Sequence, residues 1–131
     1  MDAQKASITA LVCGFTRAYH AKNDTPKIFD DNWAECLLSP EEYAFMEESV
    51  TGLLNLFEPE TAGKVDEVTA RRLVMQKYNS STVLSRARFI EDCLEKAISA
   101  GIDQYVILGA GLDTFTLRRP ELADRVRVFE V

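Results

Sequence analysis

The stretch "QYVILGAGLDTFTLR", Gln104 to Arg118, decides the fold of this chain. Residues 105–108 form a short apolar run bounded by glycines, which is typical of a strand buried on both faces. The Gly-Ala-Gly turn follows, and residues 112–119 are long enough for a helix of two turns. A second β-branched run, Arg125 to Val131, predicts another strand. Strand, glycine turn, helix and strand in this order indicate an α/β fold with a parallel sheet.

The residues before this stretch carry helical patterns. Apolar side chains at three- and four-residue steps predict helices over about residues 5–21, 28–38, 40–57, 66–78 and 85–100. Ser39 and Glu42 have the spacing of a capping box around Pro40, and Asn32 and Glu35 have the same spacing. The polar run "NSST", residues 79–82, predicts a break between the last two helices.

Composition excludes several classes of protein. The 131 residues carry a formal charge of −6, which disfavours binding to nucleic acid because such binding needs a cationic surface. The segment "MDAQKASITALVCGF" is too short and interrupted for a signal peptide, and no apolar run approaches the ~20 residues of a membrane span. We therefore expect a cytoplasmic protein without membrane contact.

The cysteines and the histidine do not form a metal site in the sequence. Cys13, Cys36 and Cys93 are odd in number and widely spaced, unlike a zinc site or a disulfide framework. Each lies on an apolar helical pattern, so we expect buried, reduced thiols. His20, the single histidine, follows the apolar stripe of the first helix and is expected to be a cation at its C-terminus.

The helical patterns also predict core positions. Four aromatic side chains are expected in helical core faces or helix contacts: Trp33, Tyr43, Phe45 and Phe57. The helix before the first strand is expected to bury six side chains: Phe89, Ile90, Cys93, Leu94, Ala97 and Ile98.

The glycine turn predicts a ligand site. Gly109 and Gly111 leave the backbone open to close approach, at the strand end where ligands bind in such folds. An acid about 20 residues further on, at the end of the next strand, can accept hydrogen bonds from a ribose. Glu130 lies 19 residues after Gly111. The alternative is a plain tight turn, with Glu130 as a charge at a strand end.

The residues after the glycines favour one class of cofactor. Dinucleotide loops usually have a third glycine, but Thr114 occupies that position here. The preceding Asp113 would repel a diphosphate and suits a cationic or amine-bearing ligand. S-adenosyl-L-methionine carries a sulfonium and an ammonium and has no phosphate. The loop therefore favours this cofactor over NAD, with an NAD-dependent oxidoreductase and a non-catalytic helical interaction module as alternatives.

Two segments carry a family resemblance. "SRARFIEDCLEKAISAGIDQYVILGAGLDTFTLR" and "RVFEV" resemble the leucine carboxyl methyltransferase family, in its bacterial branch of S-adenosylmethionine-dependent O-methyltransferases. The upstream "ITALVCGFTRAYH" and "KIFDDNWAECLL" are similar to the N-terminal helices of that branch. The resemblance implies a Rossmann-like class I methyltransferase fold. Residues 1–82 would then be a helical cap region, and residues 83–131 the start of the cofactor-binding domain.

The resemblance also assigns residues. It places four in the cofactor loop: Gly109, Ala110, Gly111 and Asp113. Arg86 matches an arginine that reaches the methionine carboxylate of the cofactor, and Arg88 is a second candidate. Two positive charges in the first turn of a helix oppose the helix dipole, and an anionic cofactor group would explain them.

The sequence matches the family motif through Val131 and lacks the residue that follows it. The family motif "VFEVD" has an aspartate that is expected to hold the ribose, whereas this sequence stops at Val131. We expect an N-terminal portion of a methyltransferase that acts on a carboxylate or hydroxyl of a small molecule, with little activity alone. Its uncovered sheet edge predicts self-association into a homo-oligomer. No catalytic residue is identified, because methyl transfer to a carboxylate needs no general base.

Overall fold

A computed structural model describes residues 6–131; residues 1–5, with the start of the first predicted helix and of the segment tested for a signal peptide, lie outside them. The longer helices are α1 (Ile8–Asn23), α2 (Pro40–Phe57), α4 (Glu67–Val74) and α5 (Ser80–Ser99). Three helices have a single turn: α3 (Pro59–Ala62), α6 (Phe115–Arg118) and α7 (Pro120–Ala123). A 3-10 helix spans Ala34–Leu37, a π-helix spans Met75–Asn79, and the strands are β1 (Gln104–Ile107) and β2 (Arg127–Glu130).

Helix α2 begins as its sequence predicts. The Ser39 hydroxyl accepts a hydrogen bond of 3.1 Å from the Glu42 amide, and the Glu42 carboxylate accepts one of 2.9 Å from the Ser39 amide. Pro40 occupies the first turn, where its missing N–H costs nothing. The predicted capping box is confirmed.

The second predicted capping box, from Asn32 to Glu35, is wrong. The segment forms a 3-10 helix whose first residue, Ala34, donates its amide to Asp31 Oδ1 at 3.1 Å. Asp31 therefore takes the capping role that the spacing had assigned to Asn32.

The predicted break at residues 79–82 is also wrong, because α4, the π-helix and α5 follow one another without interruption. Val74 and Met75 are fully buried, so packing outweighs the polar sequence. Arg86 and Arg88 are consequently the seventh and ninth residues of α5, and the argument that placed them in a first turn does not hold. The division at residue 82 falls within α5 and stays a prediction.

Two apolar cores support the fold. Helices α1, α2 and α4 enclose the first, whose buried residues are Leu11, Phe15, Tyr19, Leu38, Met46, Val50, Leu54, Ala70, Val74 and Met75. The second joins α5 to the helices between the strands, with buried residues Leu94, Ile98, Phe115, Leu122 and Val126. Helix α5 contacts α1 as well, so it connects the two cores.

The sheet has two parallel strands, and Val106 of β1 is paired with Phe129 of β2. Tyr105 and Val128 pack against the second core. Val106 and Phe129 face the other way and are 50% and 46% exposed. The strands are therefore covered on one face by the described residues, and the prediction of burial on both faces is wrong for this chain. A mostly helical α/β fold with a parallel sheet is confirmed.

Among the aromatic residues, Tyr43 alone of the predicted four packs against the core. Its ring meets Phe15 edge to face, with centroids 5.1 Å apart. Trp33, Phe45 and Phe57 are exposed, so a position in the core is wrong for these three. Phe57 nevertheless makes a helix contact, because its ring lies 4.6 Å from that of Tyr78 in the π-helix. Trp33 precedes the 3-10 helix, and Phe45 lies on the exposed side of α2, positions that helical spacing alone does not identify.

The buried face of α5 is rotated relative to the prediction. It runs through Leu84, Glu91, Leu94 and Ile98, and Leu94 and Ile98 are confirmed as core residues. Phe89, Ile90 and Cys93 are exposed instead. The rotation places the Glu91 carboxylate against arginines that follow the glycine turn.

The remaining predictions for cysteine and histidine are corrected too. Cys36 and Cys93 are exposed, and Cys13 is half-buried, so none is the fully buried thiol expected. His20 lies in the last turn of α1, as predicted, but its side chain is buried and is not a cation. Its Nε2 accepts the Ile28 amide at 2.9 Å, so Nδ1 carries the proton that it donates to Asp24 at 2.7 Å. The imidazole in this arrangement is neutral, and it links the segment after α1 to the end of that helix.

Within residues 6–131, no helix is both long and apolar enough to cross a membrane.

Candidate functional site

The glycine turn has the backbone conformation that requires glycine. Gly109 and Gly111 have φ values of +65° and +56°, in the left-handed region that side chains disfavour. The Gly109 amide donates to the Val131 carbonyl at 2.6 Å, which ties the start of the turn to the end of β2. The Asp113 amide closes the turn by donating to the Ala110 carbonyl at 2.9 Å.

An open cleft of about 310 Å³ lies beside this turn. The turn, Gly109–Asp113, forms one wall, and the first half of α1 and the middle of α5 form the others. Cys13 of α1 and Arg86 and Ile90 of α5 reach the cleft. Elements distant in sequence therefore meet around the loop that the sequence singled out.

Helix α1 lies directly against the turn. A β-carbon added to Gly111 would lie 3.2 Å from Ala10 Cβ, and one added to Gly14 would lie 3.0 Å from Leu112 Cδ1. At Gly109 an added β-carbon would meet no atom within 4 Å among the described residues. The backbone is thus packed at Gly111 and open at Gly109, where a ligand has room to approach it.

Opposite charges face the cleft from two walls. Arg86 lines it from α5, and its guanidinium makes no hydrogen bond or ion pair with any other residue between 6 and 131. Asp113 lines it from the turn, with Oδ1 accepting the Phe115 amide at 2.7 Å. Its second oxygen accepts no hydrogen bond from another residue between 6 and 131. A ligand with separate anionic and cationic groups fits this pair.

Five of the predicted site residues line the cleft together: Arg86, Gly109, Ala110, Gly111 and Asp113. The structure places Arg88 and Glu130 elsewhere. Arg88 is two positions from Arg86, about 200° around the helix, and its Nε donates to Asp92 at 2.9 Å. Glu130 is exposed and paired with Ile107 at the end of the sheet. A binding role for these two stays a prediction.

A buried carboxylate next to the turn was not predicted from the sequence. The Asp31 side chain has no exposed surface and accepts three hydrogen bonds. Arg17 Nε and the Thr114 hydroxyl donate to its Oδ2 at 2.8 and 2.6 Å, and the Ala34 amide donates to its Oδ1. Arg17 also donates to the Leu112 carbonyl. Arg17, which also lines the cleft, and Asp31 thereby hold the turn against the N-terminal part of the chain.

A second buried carboxylate continues this network. Glu91 accepts from Arg118 Nη2 at 2.6 Å and also from Arg119. Arg118 Nε donates to the Thr114 hydroxyl at 3.1 Å. The guanidinium of Arg118 also stacks on the Phe29 ring, with Cζ 4.2 Å from the ring centroid. Burial disfavours the charged form of Glu91, but the two arginines outweigh it and hold the pKa of this carboxyl below its usual value.

Two of these residues, Glu91 and Arg17, could have been recognised in the sequence. Glu91 lies seven positions after Leu84 and three before Leu94, so a charge interrupts an apolar stripe. Arg17 lies three positions after Gly14, on the face of α1 that carries small residues. A charge on a stripe of this kind is a signal for a buried partner, although the partner itself is not identifiable from spacing.

Comparison with known proteins now identifies the family. The family model described as leucine carboxyl methyltransferase matches residues 10–131. The chain belongs to this family. The resemblance that the sequence carried is therefore confirmed.

Curated relatives agree with this membership. The Bacillus subtilis (strain 168) protein named "Putative S-adenosyl-L-methionine-dependent methyltransferase YktD" is 40% identical over 133 aligned residues, covering all of this chain and 44% of that protein. A Mycobacteroides abscessus protein is named "Putative S-adenosyl-L-methionine-dependent methyltransferase". It is 34% identical to this chain, and the alignment covers 86% of this chain and 31% of that protein. The chain thus spans less than half of the relatives that it matches, and no solved structure matches it.

Proposed function

We propose that this member of the leucine carboxyl methyltransferase family binds S-adenosyl-L-methionine in the cleft beside the glycine turn. We propose further that it serves methyl transfer to a carboxylate or hydroxyl of a small molecule. The observation that carries the proposal is the pairing of the turn, Gly109–Asp113, with Arg86 across one cleft. Relatives are named as methyltransferases that depend on this cofactor.

The lining groups fit the amino-acid end of the cofactor. Arg86, which has no acceptor among residues 6–131, would hold the carboxylate. The open oxygen of Asp113 would accept from the ammonium. The exposed backbone at Gly109 and Ala110 would lie against the remainder of the molecule.

Bound in this cleft, the cofactor would supply a methyl group on a sulfonium, which is already activated for displacement by an acceptor oxygen. The task of the protein residues is to fix donor and acceptor in line and to exclude water. Arg86 and Asp113 would do this at the donor side. A carboxylate acceptor needs no base, so we assign no catalytic residue.

The alternatives fit the structure less well. An NAD-dependent oxidoreductase would bring a diphosphate to the turn, where the Asp113 carboxylate would repel it. The position of the third glycine in such loops is Thr114, which is buried and donates to Asp31. A non-catalytic helical module would explain the packing of α1 and α2, but it would not explain why Arg86 lines an open cleft with no acceptor among residues 6–131.

The exposed face of the sheet supports two further parts of the proposal. Val106 and Phe129 are adjacent and about half exposed, and Leu108 beside them is 79% exposed. An apolar surface of this kind favours contact with a second copy of the chain. We also propose that residues 1–131 alone transfer methyl groups slowly, since the acceptor side of the cleft is open to water.

A calorimetric titration tests the proposal. The 131-residue chain is titrated with S-adenosylmethionine, S-adenosylhomocysteine and NAD+, and Arg86→Gln serves as the variant. Binding of the first two, weakened in the variant, is the expected result. Tighter binding of NAD+ would support an oxidoreductase, and binding of none of the three by a folded chain would support the interaction module.

A further inference from the structure

We propose that Asp31 and Arg17 are positioning residues for the glycine turn, and that they fix the orientation of Asp113 in the cleft. This inference rests on the proposed function for its consequence in binding, but its structural part stands independently. Neither residue was identified as a site residue from the sequence. Helix capping alone does not explain the contacts of either side chain.

The contacts of the two residues bracket Asp113. On one side, Arg17 donates to the carbonyl of Leu112. On the other, the Thr114 hydroxyl donates to Asp31 Oδ2 at 2.6 Å. Arg17 and Asp31 are themselves paired at 2.8 Å. The residues immediately before and after Asp113 are thus held by one ion pair, which leaves Asp113 little freedom to turn.

Because Asp31 is buried, its contacts hold the residues around Asp113 firmly in place. Its side chain is fully buried, so its charge depends entirely on the groups around it. Besides Arg17 and Thr114, the Ala34 amide donates at 3.1 Å and Arg118 Nε lies 3.7 Å from Oδ1. A carboxylate with four partners cannot rotate without leaving donors unpaired in the interior. The position of Thr114 is therefore dictated by a residue 83 positions earlier in the chain.

The arrangement also links the two apolar cores at the cleft. Arg17 belongs to α1, Asp31 precedes the 3-10 helix, and Thr114 precedes α6. The network continues through Arg118 to Glu91 of α5, which is the helix that presents Arg86. The anionic and cationic walls of the cleft are consequently fixed to one another through buried charges.

Hydrogen exchange measured by mass spectrometry tests the structural part without any cofactor. Thr114→Val removes the hydroxyl and keeps the shape, whereas Thr114→Ser keeps the hydroxyl. We expect exchange in the segment 108–115 to become about tenfold faster in Thr114→Val, the effect of one charge-assisted hydrogen bond, and to stay near wild type in Thr114→Ser. Equal exchange in the two variants would overturn the inference.

A binding measurement tests its consequence. Asp31→Asn and Thr114→Val should raise the dissociation constant for S-adenosylhomocysteine about tenfold, and Thr114→Ser should not. Arg71→Lys is the matched control, because Arg71 pairs with Glu47 at 2.9 Å between α4 and α2, away from the turn. An equal loss of affinity in Arg71→Lys would mean that the effect is general destabilisation and would overturn the positioning role.

The two measurements separate the possible failures. If wild type binds no S-adenosylhomocysteine while the exchange pattern is as expected, the proposed function is wrong and the positioning of the turn stands. If the wild-type chain binds the ligand and Thr114→Val neither exchanges faster nor binds more weakly, the positioning role is wrong and the proposed function stands.

Discussion

Gly111 lies so close to Ala10 of helix α1 that a β-carbon on Gly111 would be 3.2 Å from Ala10 Cβ. The contact shows that the N-terminal helix forms part of the wall behind the glycine turn. It also means that the turn is constrained at Gly111 in two ways, by its positive φ and by its neighbour.

Gly111→Ala should therefore be the most damaging glycine substitution in the turn. Left-handed backbone costs an alanine about 1–2 kcal/mol, and the approach to Ala10 adds to that cost. Gly109→Ala should show the backbone cost alone, because no described atom lies within 4 Å of the added carbon. Chemical denaturation compares the free energies of unfolding.

Gly52→Ala is the control for this series. Gly52 lies within α2, and a β-carbon added there would meet no atom within 4 Å among residues 6–131. The substitution should stabilise the chain by about 0.5–1 kcal/mol, since alanine favours a helix. A Gly111→Ala variant as stable as wild type would contradict the described packing of α1.

Arg86→Gln should weaken cofactor binding without lowering the melting temperature. The guanidinium makes no ion pair within residues 6–131, so its removal costs the fold little. Loss of a charge-assisted contact should raise the dissociation constant for S-adenosylmethionine about tenfold or more. Isothermal titration and thermal unfolding give the two quantities.

Arg88→Gln is the matched control, because Arg88 lies on the same helix and pairs with Asp92 on the outer side. Its affinity for the cofactor should match wild type. Decarboxylated S-adenosylmethionine sharpens the comparison, since it should bind equally to wild type and Arg86→Gln. If Arg88→Gln instead lost affinity and Arg86→Gln kept it, the assignment of the carboxylate contact would be reversed.

Because of Glu91, we expect the free energy of unfolding to depend on pH. Burial disfavours its charged form, but the hydrogen bonds from Arg118 and Arg119 outweigh burial and hold the pKa of Glu91 below its usual value. A carboxyl with a lowered pKa stabilises the fold above its unfolded pKa of about 4.3, and this contribution is lost as the pH falls through the lowered value. Wild type should lose stability between about pH 5 and pH 3.

Glu91→Gln should flatten this dependence. At pH 6 the variant should be less stable than wild type by about 3 kcal/mol, because two arginines lose a buried partner. At pH 3 the difference should be smaller. Urea denaturation at the two pH values measures it, and Glu48→Gln, at an exposed position of α2, is the control. Parallel curves for wild type and Glu91→Gln would show that Glu91 is not the responsible group.

Phe129→Lys should reduce self-association. Phe129 and its pairing partner Val106 are about half exposed on the open face of the sheet. A charge there opposes contact between copies of the chain. Sedimentation velocity at increasing concentration should show larger species for wild type than for the variant. A wild-type chain that stays monomeric at high concentration would remove this part of the proposal.

Local features of the fold were predictable from sequence because they depend on neighbouring residues. The capping box from Ser39 to Glu42 is satisfied within one turn of helix. The glycine turn is recognisable because Gly109 and Gly111 adopt φ values that other residues avoid. The two parallel strands were predictable from the apolar runs on either side of this turn, residues 105–108 and 125–131.

Features that depend on distant residues were not predictable. The polar run at residues 79–82 stays helical because Val74 and Met75 before it are fully buried in the first core. Arg17 reaches a carbonyl 95 residues away, and no spacing indicates such a contact. Arg86 and Arg88 look alike in the sequence, but the rotation of α5 about its axis sends only Arg86 into the cleft.

The most direct test of the central claim is a nitrogen-15 correlation spectrum of the 14.7 kDa chain, titrated with S-adenosylhomocysteine. Amide signals of Gly109–Asp113 and of the α5 turn around Arg86 should shift with increasing ligand, while signals of α2 should stay in place. Unchanged signals in both segments at saturating ligand, or shifts confined to α2, would contradict the placement of the cofactor in this cleft.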